Sequence, residues 1–220
     1  MIVNTAAFFD LDGTIVEGTS GLRFARFLFR RRILPLKTSL IIPSLKIFYD
    51  LVKGEVNKYM DEVDDMLGTS MKGVKKSLVQ EQAKQYAGLE KHYMRANIVK
   101  VINNHKKNGV KLFMLSASPD ELVKEVGKML GFDESIGTRI ETIGGIYTGR
   151  VLKPSLIGKD RVEIVKKLAK KYNINLNQSF AYGNCVNDVP VLETVGNPVA
   201  VNPNKYLKPI AVKNNWTIMN

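Results

Sequence analysis

Cysteine, histidine and tryptophan are almost missing from this chain, with one Cys, two His and one Trp in 220 residues. The single thiol, Cys185, excludes an intramolecular disulfide framework and suits a reducing compartment. Neither His92 nor His105 has a cysteine cluster beside it, which argues against a structural zinc site. Acid is scarce too: 21 Asp and Glu against 33 Lys and Arg leave a formal net charge of +12. That balance favours anionic partners, among them phosphorylated substrates, acidic lipid surfaces and nucleic acid. No nucleic-acid-binding motif accompanies it, so the last of these is set aside. No apolar run reaches the length of a membrane span, and Asp10 and Asp12 interrupt the first one before it could serve as a signal peptide. The expectation is a cytoplasmic protein, monomer or homodimer, with peripheral membrane contact left open.

What is present begins with an apolar run, Ile2 to Phe9, that reads as a buried strand and ends in Asp10–Leu11–Asp12–Gly13–Thr14. Side chains alternate along an extended chain, so Asp10 and Asp12 point to one side. Two carboxylates at the end of a buried strand repel each other and lose hydration, a conflict that a metal ion or a shared proton relieves. Gly13 permits a tight turn and leaves neighbouring amides to face an anion.

From about residue 19 to 90 the pattern is helical throughout. Thr19 or Ser20 caps a helix over 22–32, a helix apolar nearly all round spans Leu40 to Val52, and two more cover 55–67 and 71–87, separated by Gly68–Thr69–Ser70. The helix over 40–52 is expected either between other helices or against lipid or a greasy substrate. Beyond residue 90 strands and helices alternate: helix 97–107, strand 110–115, helix 119–130 stopped by Gly131, and strands 135–141 and 146–152 about Gly144–Gly145. Helix 159–172, strand 179–182, helix 188–194, strand 198–201 and a short helix and strand after Pro203 complete the chain. Such alternation predicts an α/β fold, a mainly parallel sheet covered on both faces, with ligands at the carboxyl ends of its strands. The helical stretch is an insertion after the first strand, placed to lie over the carboxylates. Its expected bounds are 19–90, with 1–18 and 91–220 forming the core.

Three later strand ends carry chemistry. Strand 110–115 runs into Ser116–Ala117–Ser118–Pro119–Asp120–Glu121, where Ser118 and Glu121 read as a capping box and Ser116 is left as a hydroxyl for a phosphoryl oxygen. Lys159 opens a helix against the usual dipole preference, a position from which it can reach a phosphate. Strand 179–182 ends in Gly183–Asn184–Cys185–Val186–Asn187–Asp188, whose hard oxygen donors Asn184 and Asp188 suit Mg²⁺.

These four segments, in this order, resemble the haloacid dehalogenase superfamily of phosphatases, with FFDLDGT, SAS, GKD and YGNCVNDVPVL as its four motifs. The helical insertion resembles the cap of the phosphoserine-phosphatase-like branch. The resemblance spans essentially the whole chain and implies a Rossmann-like core and Mg²⁺-dependent hydrolysis of a small phosphorylated metabolite. It implies Asp10 as nucleophile, Asp12 as acid and base, and Ser116 and Lys159 as stabilisers of the phosphoryl group. Leu11, Gly13, Thr14, Thr19, Ser20 and Ala117 would line the substrate, and Asp10, Asp12, Asn184 and Asp188 would hold the metal. Two positions depart from the pattern. Asn184 stands where most relatives carry Asp, and the segment Glu17–Gly18–Thr19–Ser20 does not place a glutamate where phosphoserine-specific members carry one. The first departure opens an alternative, a phosphate-ligand binding or regulatory protein with weak turnover.

Overall fold

Strand β1 (Ala6–Phe9) has all four side chains buried, which explains a run of apolar residues without polar alternation. Ala7 and Phe9 point into one hydrophobic cluster, and Ala6 and Phe8 into a second cluster on the other face. Phe9 stacks on Tyr182 at 4.3 Å between ring centroids, and Phe8 stacks on Phe113 at 5.3 Å. Burying each of these rings is worth roughly 1.5–3 kcal/mol. β1 is therefore fixed from both sides. This computed structural model describes residues 4–35, 38, 60–154, 156 and 158–220, with the side chains of residues 60–64 and of Lys159 outside the description. The helix expected over 40–52 and the start of the one expected over 55–67 lie outside the described residues.

After β1 come helices α1 (Ser20–Arg30), α2 (Met60–Met71) and α3 (Lys76–Ala87), a 3₁₀ segment Gly88–Tyr93, and α4 (Ala96–Lys107). The core then alternates β2 (Lys111–Pro119), α5 (Asp120–Leu130) and β3 (Glu134–Thr138). A hairpin, β4 (Ile140–Ile143) and β5 (Ile146–Val151), interrupts it before α6 (Lys159–Tyr172). β6 (Phe180–Gly183), α7 (Val189–Leu192), β7 (Asn197–Val201), α8 (Leu207–Lys213) and β8 (Thr217–Met219) follow. Six strands form one sheet in the order β3–β2–β1–β6–β7–β8, and every adjacent pair is parallel. The strand order reverses between β1 and β6. In such sheets the crevice at this switch point, outside the carboxyl ends, is where ligands bind.

Three expectations need correction. The helix break expected at Gly68–Thr69–Ser70 is absent. α2 runs through it to Met71, and the next helix starts only at Lys76. Gly68 is needed for close approach: a Cβ there would sit 1.9 Å from the carbonyl oxygen of Gly149 on β5. Strand 135–141 is two strands, because β3 joins the main sheet while β4 turns away to pair with β5 through Gly144 and Gly145, both at positive φ. That hairpin docks on the helical insertion: the N–H of Gly73 donates to Tyr147 O, that of Tyr147 to Val74 O, and that of Lys76 to Gly145 O, each at 2.9 Å. Finally, Ser118 is not an N-cap. α5 begins after Pro119 without a side-chain cap, and the Ser118 hydroxyl turns elsewhere.

Candidate active site

Asp10 follows β1 directly, and its N–H donates to Tyr182 O of β6 at 3.0 Å, which sets it at the switch point. The turn beyond it is closed by its own backbone. Ile15 and Val16 donate to Leu11 O, and Gly13 N–H donates to Val16 O at 2.7 Å. The amide expected to face an anion at Gly13 is thus committed within the turn. Gly13 has φ +82°, and a Cβ there would meet the Asn184 side chain at 2.2 Å, so conformation and space both require glycine.

Asp12 is held by both oxygens. Oδ1 accepts the N–H of Ser20 at 2.5 Å, and Oδ2 accepts the Ser118 hydroxyl at 2.6 Å. Ser20 Oγ and Ser118 Oγ are in turn 3.1 Å apart. The carboxylate therefore caps α1, where the helix dipole favours a negative charge, in place of the Thr19 side chain, which makes no cap bond. Burial raises the Asp12 pKa, and the Ser118 and Ser20 hydrogen bonds pull it back. The net effect is a carboxyl group that gives up its proton less readily than an exposed aspartate.

The fourth segment is organised by Asp188, whose Oδ2 accepts the N–H groups of Asn184 at 2.8 Å and Cys185 at 3.0 Å. Asp188 Oδ1 receives Arg161 Nη1 at 2.7 Å. Arg161 Nη2 stands 3.4 Å from Asp10 Oδ1, and its Nε donates to Leu156 O at 2.8 Å. Sequence reasoning missed this guanidinium, which is buried in the first turn of α6, although the signal was there in Gly158–Lys159–Asp160–Arg161. Burial and the neighbouring Asp188 push the Asp10 pKa well above the usual carboxylate range, against the pull of Arg161.

One cavity of about 390 Å³ opens here, lined among others by Asp10, Asp12, Arg95, Arg161, Asn184 and Asp188. Of the residues expected around a substrate, Gly13, Thr19 and Ala117 line it. Leu11, Thr14 and Ser20 are not among its lining residues. Leu11 packs in the core, Thr14 donates to Asn184 Oδ1 at 3.4 Å, and Ser20 is spent on Asp12 and Ser118, all three being fully buried. Ser116 is also fully buried. Its Oγ accepts the N–H of Ser118 at 3.1 Å, and its own proton is left for another acceptor. Lys159 opens α6, but its side chain lies outside the described residues.

The donor set suits a hard divalent cation. Asp10 and Asp188 offer carboxylate oxygens and Asn184 an amide oxygen, and Asn187 Oδ1, at the same cavity, is buried without a hydrogen-bond partner. Among the described residues no three of His, Cys, Asp and Glu converge on a point.

Behind Asp12 lies a second polar cluster that the sequence did not disclose. Glu90, with no exposed surface, accepts from Arg23 Nη2 at 2.6 Å and from the Tyr86 hydroxyl at 2.8 Å. It ties α1 to the end of the helical insertion.

Comparison with known proteins places the chain. It is 30% identical to a phosphoserine phosphatase of Mycobacterium tuberculosis, over 98% of this chain and 70% of that protein. A protein of unknown function from Bordetella pertussis superposes with a TM-score of 0.85, at 22% identity, over 100% of this chain and 99% of the other. A phospho-aspartyl intermediate analogue of phosphoserine phosphatase gives 0.71 at 20% identity, over 99% and 93%. Both superpositions speak for the fold. The family model of haloacid dehalogenase-like hydrolases matches residues 7–193, from β1 through α7, a span that holds both aspartates of the first turn and the Asn184–Asp188 segment. The chain belongs to the haloacid dehalogenase-like hydrolases.

Proposed function

We propose that this hydrolase cleaves phosphomonoesters of small metabolites with Mg²⁺ as cofactor, through an aspartyl-phosphate (an acyl phosphate) formed on Asp10. The observation that carries the reading is the pair of buried carboxylates at the switch point, Asp10 facing Arg161 and Asp12 held by Ser118 and Ser20. Asp10 attacks phosphorus in line, the bond to the leaving oxygen breaks, and Asp12 gives that oxygen its proton. Asp12, now ionised and supported by two hydrogen bonds, then takes a proton from water. The oxygen of that water displaces Asp10 and releases inorganic phosphate. Asp10, the backbone carbonyl of Asp12, Asn184 and Asp188 would hold Mg²⁺, which would supply charge neutralisation between nucleophile and phosphate. Ser116 and Lys159 serve the phosphoryl oxygens.

The cavity fits a small ligand rather than a polymer. We take residues 19–90 as the cap that closes over it, joined by the β4–β5 hairpin through its bonds to residues 73–76. Among the described residues no helix is long and apolar enough to cross a membrane, in keeping with a cytoplasmic metabolite as substrate.

The test is phosphate release from a panel of phosphomonoesters, phosphoserine included, in Mg²⁺ and in EDTA. Release that needs metal and vanishes in Asp10→Asn is the expected result. Release that persists in folded Asp10→Asn would remove Asp10 from the chemistry.

A further inference from the structure

The helical insertion leaves the core through residues 13–19 and returns to it through residues 93–95. The two passages run side by side. Glu17 N–H donates to Tyr93 O at 2.8 Å, Arg95 N–H donates to Ile15 O at 2.9 Å, and Val16 bridges Met94 between them. One guanidinium spans this junction. Arg23, in the first turn of α1, grips Glu90 by two bonds, Nη2 to Oε2 at 2.6 Å and Nε to Oε1 at 3.1 Å. Its Nη1 donates to Glu17 O at 2.7 Å, and its Cζ lies 4.0 Å from the centroid of the Tyr93 ring. Glu90 has no exposed surface and also accepts the Tyr86 hydroxyl at 2.8 Å.

The same turn of α1 carries the Ser20 N–H that Asp12 Oδ1 accepts at 2.5 Å. Ser118 holds the other oxygen from the core side. Asp12 thus draws one support from the core and one from the start of the insertion, and its orientation depends on where α1 stands. A carboxylate held by one oxygen alone turns about its own bond. A misplacement of about 1 Å at a reacting group can cost about 10²-fold in rate.

We infer that Arg23 is a positioning residue for Asp12. By fastening the first turn of α1 to Glu17, Glu90 and Tyr93, it keeps the Ser20 N–H on the carboxylate that protonates the leaving oxygen. Arg23 is not among the residues that line the cavity, so it acts through α1. The inference rests on the role given to Asp12 in the proposed function. Arginine suits the task because its fork matches both oxygens of Glu90 while its third nitrogen reaches Glu17, a combination that the single ammonium of lysine does not reproduce.

The test compares two leaving groups by kcat/KM, which reports the chemistry up to the first bond cleavage and leaves out water activation. An alkyl oxygen needs a proton from Asp12 to leave, whereas p-nitrophenolate departs as a stable anion. The substrates are p-nitrophenyl phosphate and the alkyl phosphate hydrolysed fastest in the panel above. In Arg23→Met the alkyl value falls by at least about tenfold and the aryl value by less than about threefold. Arg23→Lys, which keeps the charge but not the fork, falls between native and Met.

Arg23→Met alone strands the buried Glu90 carboxylate, and combining it with Glu90→Gln removes both charges together. The double variant shows the same selective loss and decides the matter if the single one does not fold. A merely structural role would lower both substrates by one common factor, through a smaller folded fraction. Equal loss on both substrates, or no loss on either, in folded variants would overturn the inference and leave the phosphatase reading intact. A native chain that hydrolyses no alkyl phosphate would overturn both.

Discussion

Ser118→Ala isolates the contact to Asp12, the acid–base group of the proposed mechanism. The Ser118 hydroxyl donates to Asp12 Oδ2 at 2.6 Å, inside a cluster where Ser118 is 5% exposed and Ser20 is fully buried. A hydrogen bond to a charged acceptor is worth about 1.5–3 kcal/mol. That energy belongs to the ionised form of Asp12, and 1.36 kcal/mol corresponds to about one pKa unit. Deleting the hydroxyl therefore raises the Asp12 pKa by about 1–2 units, adding to the upward push of burial. The assay is the pH dependence of phosphate release at saturating and at limiting substrate. Both limbs assigned to Asp12 move to higher pH. Leaving-group protonation survives further into the alkaline range, and water activation is lost sooner on the acid side. Ser118→Thr, which keeps the hydroxyl, returns the profile towards native. The substitution also leaves Ser20 Oγ without its neighbour, so stability falls by about 1 kcal/mol, or roughly 2–4 °C in melting temperature for a chain of this size. A folded Ser118→Ala enzyme with an unmoved pH profile would refute the assignment of this contact to Asp12.

Gly68→Ala tests the packing of α2 on β5. Helix propensity favours Ala by roughly 1 kcal/mol, but the new methyl would lie 1.9 Å from Gly149 O, and such overpacking costs about 1–3 kcal/mol. The expected sum is destabilisation, read by thermal melting; a more stable Gly68→Ala would mean the helix and hairpin are not in that contact. His105 supplies a pH dependence of stability. It is buried with Nε2 2.7 Å from the Tyr182 hydroxyl, and burial lowers its pKa below the ordinary 6.5. The unfolded chain therefore binds the proton first as pH falls. The stabilisation is whole above about pH 6.5 and is lost between that pH and the lower folded value, at no more than about 1.4 kcal/mol per unit. Denaturant melts from pH 7.5 to 5 show this loss in the native chain and less of it in His105→Gln, and equal slopes in the two would dismiss the histidine.

The sheet was readable because its strands obey a local rule. β1, β2, β6 and β7 are apolar runs bounded by turn residues, and a strand buried on both faces has that pattern. Asp10, Asp12 and Asn184 were legible as polar residues where such a run stops, whereas Arg161, in the first turn of α6, was not. Close approaches were not legible either. Gly68 marks a contact with Gly149, eighty-one positions away, and the local signal of a glycine followed by Thr and Ser suggested a helix end instead. Glu90 pairs with Arg23 and Tyr86 inside the insertion, where one more acid in a helical pattern gives no sign of burial.

Ser116 and Ser118 show why position along a strand end does not assign a role. They sit two residues apart, so an extended chain sends both hydroxyls to one side. The pairing of β2 with β3 is irregular between Leu115 and Pro119, and the two hydroxyls part there. Ser118 reaches Asp12, while Ser116 accepts the amide of Ser118. A local capping rule had already claimed Ser118, because Glu121 follows three residues later. The Ser118 hydroxyl donates to the Asp12 carboxylate, and a hydrogen bond to a charged acceptor is about twice as strong as one between neutral groups. That bond fixes the hydroxyl at Asp12, and the helix starts at Asp120 with Pro119, which has no N–H to satisfy, as its N-cap.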